Sequence, residues 1–377
     1  MTDFKNLHTY REIRQQPVVW LKAYDIVLSR KGEIKAFLDK YLGEGYQVVL
    51  TGAGTSAYIG DALDTALYDT RFRGARAIAT TDIITSPGYW FDSTSKVLLI
   101  SFARSGDSPE SIGAVKAVEA AAGKAAHIFI TCNANGELAR RKGDNILTIL
   151  LPPETNDVSL AMTSSYSTML LTCSMIAGID HIEDDRKWIE SISDCVAKAL
   201  DRYEDDIKAI AARDFTRAIF LGSGPLKGVS EESRLKLQEL TDGSVMCTFD
   251  SFLGFRHGPK ALVKPESLMV YLMSSKAEVK RYEVDLLHQI NANNHVKASV
   301  IVCDKCPGVE SDLCVEIGYA PETPERYSCV SYVFVAQLLG FFKSIDCGLC
   351  PDSPSVSGNI SRVVEGVTLY IYRYEKD

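Results

Sequence analysis

The chain has 377 residues, 46% of them hydrophobic and 24% charged, with a net charge of −8. That length allows two domains of ordinary size or one doubled unit. The acidic balance argues against a nucleic acid or an anionic membrane as partner, because either polyanion would be repelled, but a local site could still hold a small anion.

In chain order, residues 1–44 read as a helical segment with the apolar runs VVWLKAYDIV and IKAFLDKYL. Residues 45–185 alternate strands with helices. YQVVLTGAGTSAYIGDAL is strand, Gly-rich turn and helix. GARAIATTD and SKVLLISFA are two further strands, and IGAVKAVEAAA is a helix after the second. HIFITCN is a fourth strand, GELARRK a short helix, NILTILLPP a fifth strand and AMTSSYSTMLLTCSMIAGI a long helix. Strands alternating with helices predict an α/β fold, a doubly wound parallel sheet covered on both faces in three layers. An amphipathic connecting helix follows within 186–214. The pattern then restarts over 215–350. RAIFLGSGPLKGVSEESRLKL repeats the strand, Gly-x-Gly turn and helix, SLMVYLMSS and ASVIVCD match the third and fourth strands, and YSCVSYVFVAQLLGFFKSI matches the long helix. Gly52 and Gly222 lie at equivalent places, so the halves read as an internal duplication. The tail, 351–377, is Ser/Pro-rich and then strand-like.

No run of about 18 uninterrupted apolar residues predicts a membrane span, and MTDFKNLHTYREIRQQ lacks a signal-peptide core. The expected location is the cytoplasm. The ten cysteines read mostly as buried thiols in a reducing compartment. Two pairs, Cys303/Cys306 and Cys347/Cys350, have C-x-x-C spacing, but the separation between pairs exceeds that of ordinary zinc ribbons. No metal and no cofactor is assigned.

The segment SFARSGDSPES, 101–111, is a hydroxyl-rich loop between a buried strand and a helix. Such a loop points backbone N–H groups and the positive end of the helix dipole at one spot. Ser105 and Ser108 add hydroxyls, Gly106 lets the backbone come close, and Pro109 suits the first helical turn with Ser108 as cap. The loop can seat a phosphate monoester; a serine cap on a surface helix accounts for the same residues without a ligand. The second half has SSKAEV at the equivalent place, without the serine–glycine pattern. TGAGTSAYIG has its third glycine misplaced for a dinucleotide fingerprint, and neither a P-loop nor a Gly-x-Ser-x-Gly elbow occurs. Thr55 and Ser56 could add hydroxyls beside the serine loop, because neighbouring parallel strands bring their C-terminal ends together. Thr163 and Ser164 open another helix. Glu232, Lys236 and Glu239 fall on one helix face, where a solvated salt-bridged stripe is the plainer reading. His257 sits in GFRHGPKALV between Arg256 and a Gly-Pro turn.

GAGTS, SFARSGDSPES, RLKLQELTDG and RHGPKAL stand in the order seen in the isomerase half of glucosamine-6-phosphate synthase. Over about residues 45–365 the chain resembles tandem sugar isomerase (SIS) domain proteins. TGAGTSAYIGD, AMTSS, GFRHGPKALV and DSPSVSGNISRVVEGV bring it nearest the AgaS-type galactosamine-6-phosphate deaminase/tagatose-6-phosphate isomerase group. The resemblance implies that Ser105 and Ser108, helped by Ser56, bind the sugar 6-phosphate, with Arg104, Thr163, Ser164 and Arg362 around it. It makes Glu239 the carrier of a proton between C1 and C2, Lys236 its neighbouring lysine, and His257 the ring-opening histidine supplied by a second subunit. It therefore implies a homo-oligomer. Arg362 stands where the synthase has a tail lysine; an arginine stays protonated and cannot act as an amine nucleophile. Residue 2 is threonine rather than a nucleophilic cysteine and no glutaminase half accompanies the domains, so the resemblance favours release of ammonia over its incorporation. The expected reaction is galactosamine 6-phosphate and water to tagatose 6-phosphate and ammonia. A pure aldose–ketose isomerase and a sugar-phosphate sensor are the alternatives; a sensor would have no use for Glu239 and His257.

Overall fold

The computed structural model describes residues 4–293, 295–364 and 366–370. Three helices come first, α1 (His8–Arg14), α2 (Gln16–Ser29) and α3 (Lys31–Gly43). Pro17 occupies the first turn of α2, where its missing N–H costs nothing. Trp20, Tyr24 and Val27, three or four residues apart, form one buried stripe.

The first sheet contains β1 (Gln47–Thr51), β2 (Arg76–Ala77), β3 (Lys96–Ala103), β4 (Lys124–Thr131) and β5 (Ile146–Leu150) in the order β2-β1-β3-β4-β5, with every pairing parallel. Between the strands run α4 (Thr55–Leu63), α5 (Thr80–Thr85), α6 (Pro109–Ala121) and α7 (Glu137–Arg140). Helices α8 (Ser164–Ala177) and α9 (Ile182–Ala211) lead onward. The second sheet contains β6 (Arg217–Gly222), β7 (Met246–Asp250), β8 (Ser267–Leu272), β9 (Ala298–Cys303) and β10 (Leu313–Glu316). Its order, β7-β6-β8-β9-β10, repeats that of the first sheet strand for strand, again all parallel. Its helices are α10 (Pro225–Leu240), α11 (Phe252–Phe255), α12 (Ala277–Asn293), α13 (Glu325–Ser328) and α14 (Val333–Asp346). Gly54 and Gly224, before α4 and α10, share one backbone conformation (φ 53°, ψ −128° and φ 55°, ψ −128°), a positive-φ state that glycine adopts without strain.

One core runs from Tyr10 and Trp20 through Leu50, Leu98 and Ile128 to Phe220, Val270 and Phe341, so the N-terminal helices and both sheets bury their apolar faces together. Each such large side chain contributes about 1.5–3 kcal/mol on burial. The stretch 325–346 is, among the described residues, the one long and apolar enough to cross a membrane, and it is buried inside this core.

Several elements differ from the sequence expectation. Only Arg76–Ala77 of GARAIATTD pairs as a strand, and α5 begins three residues later. Strands β7 and β10 are short, partly exposed edges, and a strand of so few residues carries little periodic signal. Helix α12 was not anticipated; Leu286, Leu287 and Ile290 fasten it to the sheet. The connecting helix starts at Ile182, several residues before the expected boundary. The tail forms no strand among its described residues, and residues 371–377 lie outside them.

Candidate active site

Parallel pairing sets Thr51 of β1 opposite Ser101 of β3. The loops that leave these strands therefore lie side by side, where the connections of β1 and β3 run to opposite sides, the usual ligand position in this strand order. A cavity of about 130 Å³ opens there, lined by Ala53, Ser56, Arg104, Ser105, Ser108 and Ser111 among others. An enclosing pocket for a whole small molecule has about 300 Å³ or more, so this cavity suits one end of a ligand. Ser108 caps α6: its oxygen accepts from Ser111 N at 3.3 Å and its hydroxyl donates to Ser111 Oγ at 2.7 Å. Gly106 has φ 71°, and the turn is held from behind by Asn133 Nδ2, which donates to Ser105 O at 2.9 Å. Glu110 also lines the cavity, and its Oε2 is buried without a hydrogen-bond partner among the described residues.

Arg104 and Arg362 line the same cavity, but their hydrogen bonds go to backbone and amide oxygens. Arg104 donates to Ser159 O (3.2 Å), Leu160 O (3.1 Å) and Arg362 O (2.5 Å). Arg362 donates to Asp157 O through Nε (2.9 Å) and Nη2 (2.6 Å), and to Asn156 Oδ1 at 3.1 Å. The two guanidinium groups thus fasten the tail over the serine loop while leaving positive charge at the cavity wall. Farther back, Ser357 N and Oγ donate to the Asp242 carboxylate just beyond α10.

Thr163 and Ser164 stand apart from the cavity. Both are buried, and Asp157 occupies their helix end: its carboxylate accepts from Thr163 N at 2.9 Å, Ser164 Oγ at 2.5 Å, and Ser165 N and Oγ at 2.9 and 2.6 Å. This capping satisfies N–H groups that a ligand would otherwise meet. Asp157 thus holds the Ser164 hydroxyl and the Thr163 backbone N–H. Glu12 of α1 braces the same loop from the other side, accepting from Ser159 N and Oγ.

The face of α10 with Glu232, Lys236 and Glu239 is buried rather than solvated: Glu232 and Lys236 have no exposed side-chain surface, and Glu239 is 22% exposed. Lys236 Nζ donates to Glu239 Oε2 at 2.7 Å and to Thr55 Oγ1 at 3.0 Å, and lies 3.4 Å from Glu232 Oε1. Two carboxyl groups share one ammonium. Glu239 is the closer partner. Burial pushes Glu232 up to about 8, with Lys236 pulling down and Glu239 adding to the rise, which favours its protonated form. Burial works to lower Lys236, but the facing carboxyls outweigh it and raise its pKa.

Thr55 and Ser56 are consecutive residues in the first turn of α4. Thr55 touches Lys236, and Ser56 lines the serine cavity. The first sheet's cavity and the second half's acid–base group are thereby joined through one helical turn. His257 follows α11 on an exposed loop, its backbone N–H donating to Gly254 O, and among the described residues no hydrogen bond or ion pair of this cluster reaches it. Glu110 and Ser111 were missed in sequence; the helix cap at Ser108 places both on the first turn of α6, and that was the available signal.

The SIS domain profile matches residues 42–178. D-galactosamine-6-phosphate deaminase AgaS of Shewanella sp. (strain ANA-3) is 34% identical over 379 residues, covering 98% of this chain and 93% of its own length. The protein of that name from Escherichia coli is 33% identical over 371 residues, covering 96% and 95%. The crystal structure of tagatose-6-phosphate ketose/aldose isomerase from Escherichia coli superposes with a TM-score of 0.91 at 30% identity, covering 99% of each chain. With the strand order and the loop geometry above, these full-length likenesses show that the chain belongs to the AgaS group of the SIS-domain family.

Proposed function

We propose that this protein is a deaminating aldose–ketose isomerase that converts D-galactosamine 6-phosphate and water to D-tagatose 6-phosphate and ammonia. The observation that carries the reading is the adjacency of Thr55 and Ser56, which joins an anion-sized cavity to the Lys236–Glu239 pair. The names of the full-length relatives supply the substrate class.

The 6-phosphate sits against Ser56, Ser105 and Ser108 under the positive charge of Arg104 and Arg362. In the open-chain sugar, Glu239 removes the C2 proton as the C1 carbonyl oxygen takes up a proton, giving an enolamine. Glu239 returns its proton to C1, leaving a ketose imine at C2. Water adds to that carbon and ammonia leaves. Lys236 grips one Glu239 oxygen and orients the carboxylate; proton transfer by a positioned group of this kind contributes about 10²–10⁴-fold. His257, exposed and apart from its own chain's cluster, opens the ring in the site of a second copy. The enzyme is then a homo-oligomer working in the cytoplasm.

Ammonia and ketose release are measured on galactosamine 6-phosphate and glucosamine 6-phosphate. Release of ammonia from the galacto sugar with tagatose 6-phosphate formed in equal amount is expected; isomerisation of a neutral sugar phosphate without ammonia would replace the reading by the pure isomerase. Glu239→Gln should lower kcat by about 10² or more with KM little changed, and near-normal turnover would remove Glu239 from the proton transfer. Mixed Glu239→Gln and His257→Ala chains should recover activity once subunits exchange. Zero activity after demonstrated exchange would end the shared-site idea.

A further inference from the structure

Cys303 ends β9, Cys314 lies in β10, and Cys306 stands on the loop 304–312 between them. Cys314 pairs with Ile301, two residues before Cys303, so the two thiols share one face of the sheet. Their sulfur atoms are 3.8 Å apart. Cys306 N donates to the Glu316 carboxylate at 2.9 Å, which pins the loop back onto β10 two residues beyond Cys314. Cys303 is buried, Cys314 half-buried and Cys306 exposed. A thiolate that accepts from a neighbouring thiol is stabilised as the anion, and the anion is the nucleophile. The hydrogen bond with Cys303, the largest effect, lowers Cys314 to about 7 against the opposing effects of burial and Glu316.

We propose that this three-thiol cluster is an oxidation site for hydroperoxides, with Cys314 as the nucleophile and Cys306 as the resolving thiol. In the first step the Cys314 thiolate attacks the terminal peroxide oxygen. The S–O bond forms, the O–O bond breaks, sulfur loses two electrons and hydroxide, or the alkoxide of an organic hydroperoxide, leaves. In the second step the Cys306 sulfur attacks the sulfenic sulfur, the S–S bond forms, the S–O bond breaks, and the oxygen departs as water with the Cys306 proton. Cys303 stays as donor: it is fixed in a central strand, and closing 3.8 Å to the roughly 2.05 Å of a disulfide would distort the ladder. Cys306 stands on the loop that its bond to Glu316 holds beside the Cys314 strand, outside the sheet ladder.

Reduced full-length protein is treated with hydrogen peroxide at about pH 6, where an ordinary thiol is almost wholly protonated, then alkylated and mapped without reduction. The expected product is a Cys306–Cys314 cross-linked peptide, lighter by two hydrogens and reversed by dithiothreitol. Cys306→Ser should keep its turnover and trap Cys314 as a sulfenic acid labelled by dimedone, at a rate about fivefold that of N-acetylcysteine, the larger thiolate fraction being partly offset by lower intrinsic nucleophilicity. Cys314→Ser should lose both products while its circular dichroism matches the parent. Dimedone labelling at Cys314 no faster than N-acetylcysteine would overturn the proposal, and so would a Cys303–Cys314 cross-link with Cys306 still free, or a disulfide confined to Cys347 and Cys350.

Discussion

Lys236 of α10 donates to Thr55 of α4 across the boundary between the two halves of the chain, at 3.0 Å and wholly inside the protein. The bond ties the ammonium to the turn that carries Ser56, and hence sets where Glu239 stands relative to the serine cavity.

Thr55→Val keeps the shape and removes the acceptor. A hydrogen bond to a charged group contributes about 1.5–3 kcal/mol. Steady-state kinetics should show kcat lower by about tenfold or more, with KM within about twofold of the parent. A rise in KM alone would mean that Thr55 serves the phosphate instead of Lys236.

Ser105→Ala and Ser108→Ala should each raise KM for the phosphorylated sugar by about tenfold, the loss of one hydroxyl facing a charged group. The two should part in stability. Ser108 also accepts from Ser111 N at the start of α6, so its alanine variant loses a cap of about 1 kcal/mol and should melt about 1–3 °C lower, while Ser105→Ala should not. Equal melting shifts would contradict the capping role.

The proton on Glu232 gives a pH signature. Its pKa rises on folding from 4.5 to about 8. Between those values the unfolded chain has released a proton that the folded chain still holds, so stability is highest at the acid end and falls as pH rises, by about 1.4 kcal/mol per unit from this group. Glu232→Gln stays neutral throughout. In urea unfolding compared at about pH 5.5 and 7.5, the variant should gain about 2–3 kcal/mol on the parent between the two conditions. A difference between variant and parent that does not change with pH would show Glu232 to be ionised beside Lys236.

The sequence by itself determined the class of fold. Val48–Leu50 and Val97–Ile100 are β-branched or aliphatic runs that only a sheet covered on both faces can bury, and the turn at Gly54 and its repeat at Gly224 were visible because positive φ calls for glycine. The serine loop could be read for the same reason, since a cap and a turn are local chemistry. What Arg104, Arg362, Thr163 and Ser164 do was decided by the tertiary structure: carbonyls of residues 157–160 and the carboxylate of Asp157 compete for their donors, and those partners are distant in sequence from at least one of them. The face of α10 shows the same division. Its spacing placed Glu232, Lys236 and Glu239 together, but a salt-bridged stripe in water has that spacing too. Packing of α4 against α10 removed the water, and desolvation then raised the pKa of one carboxyl while the other pairs with the lysine.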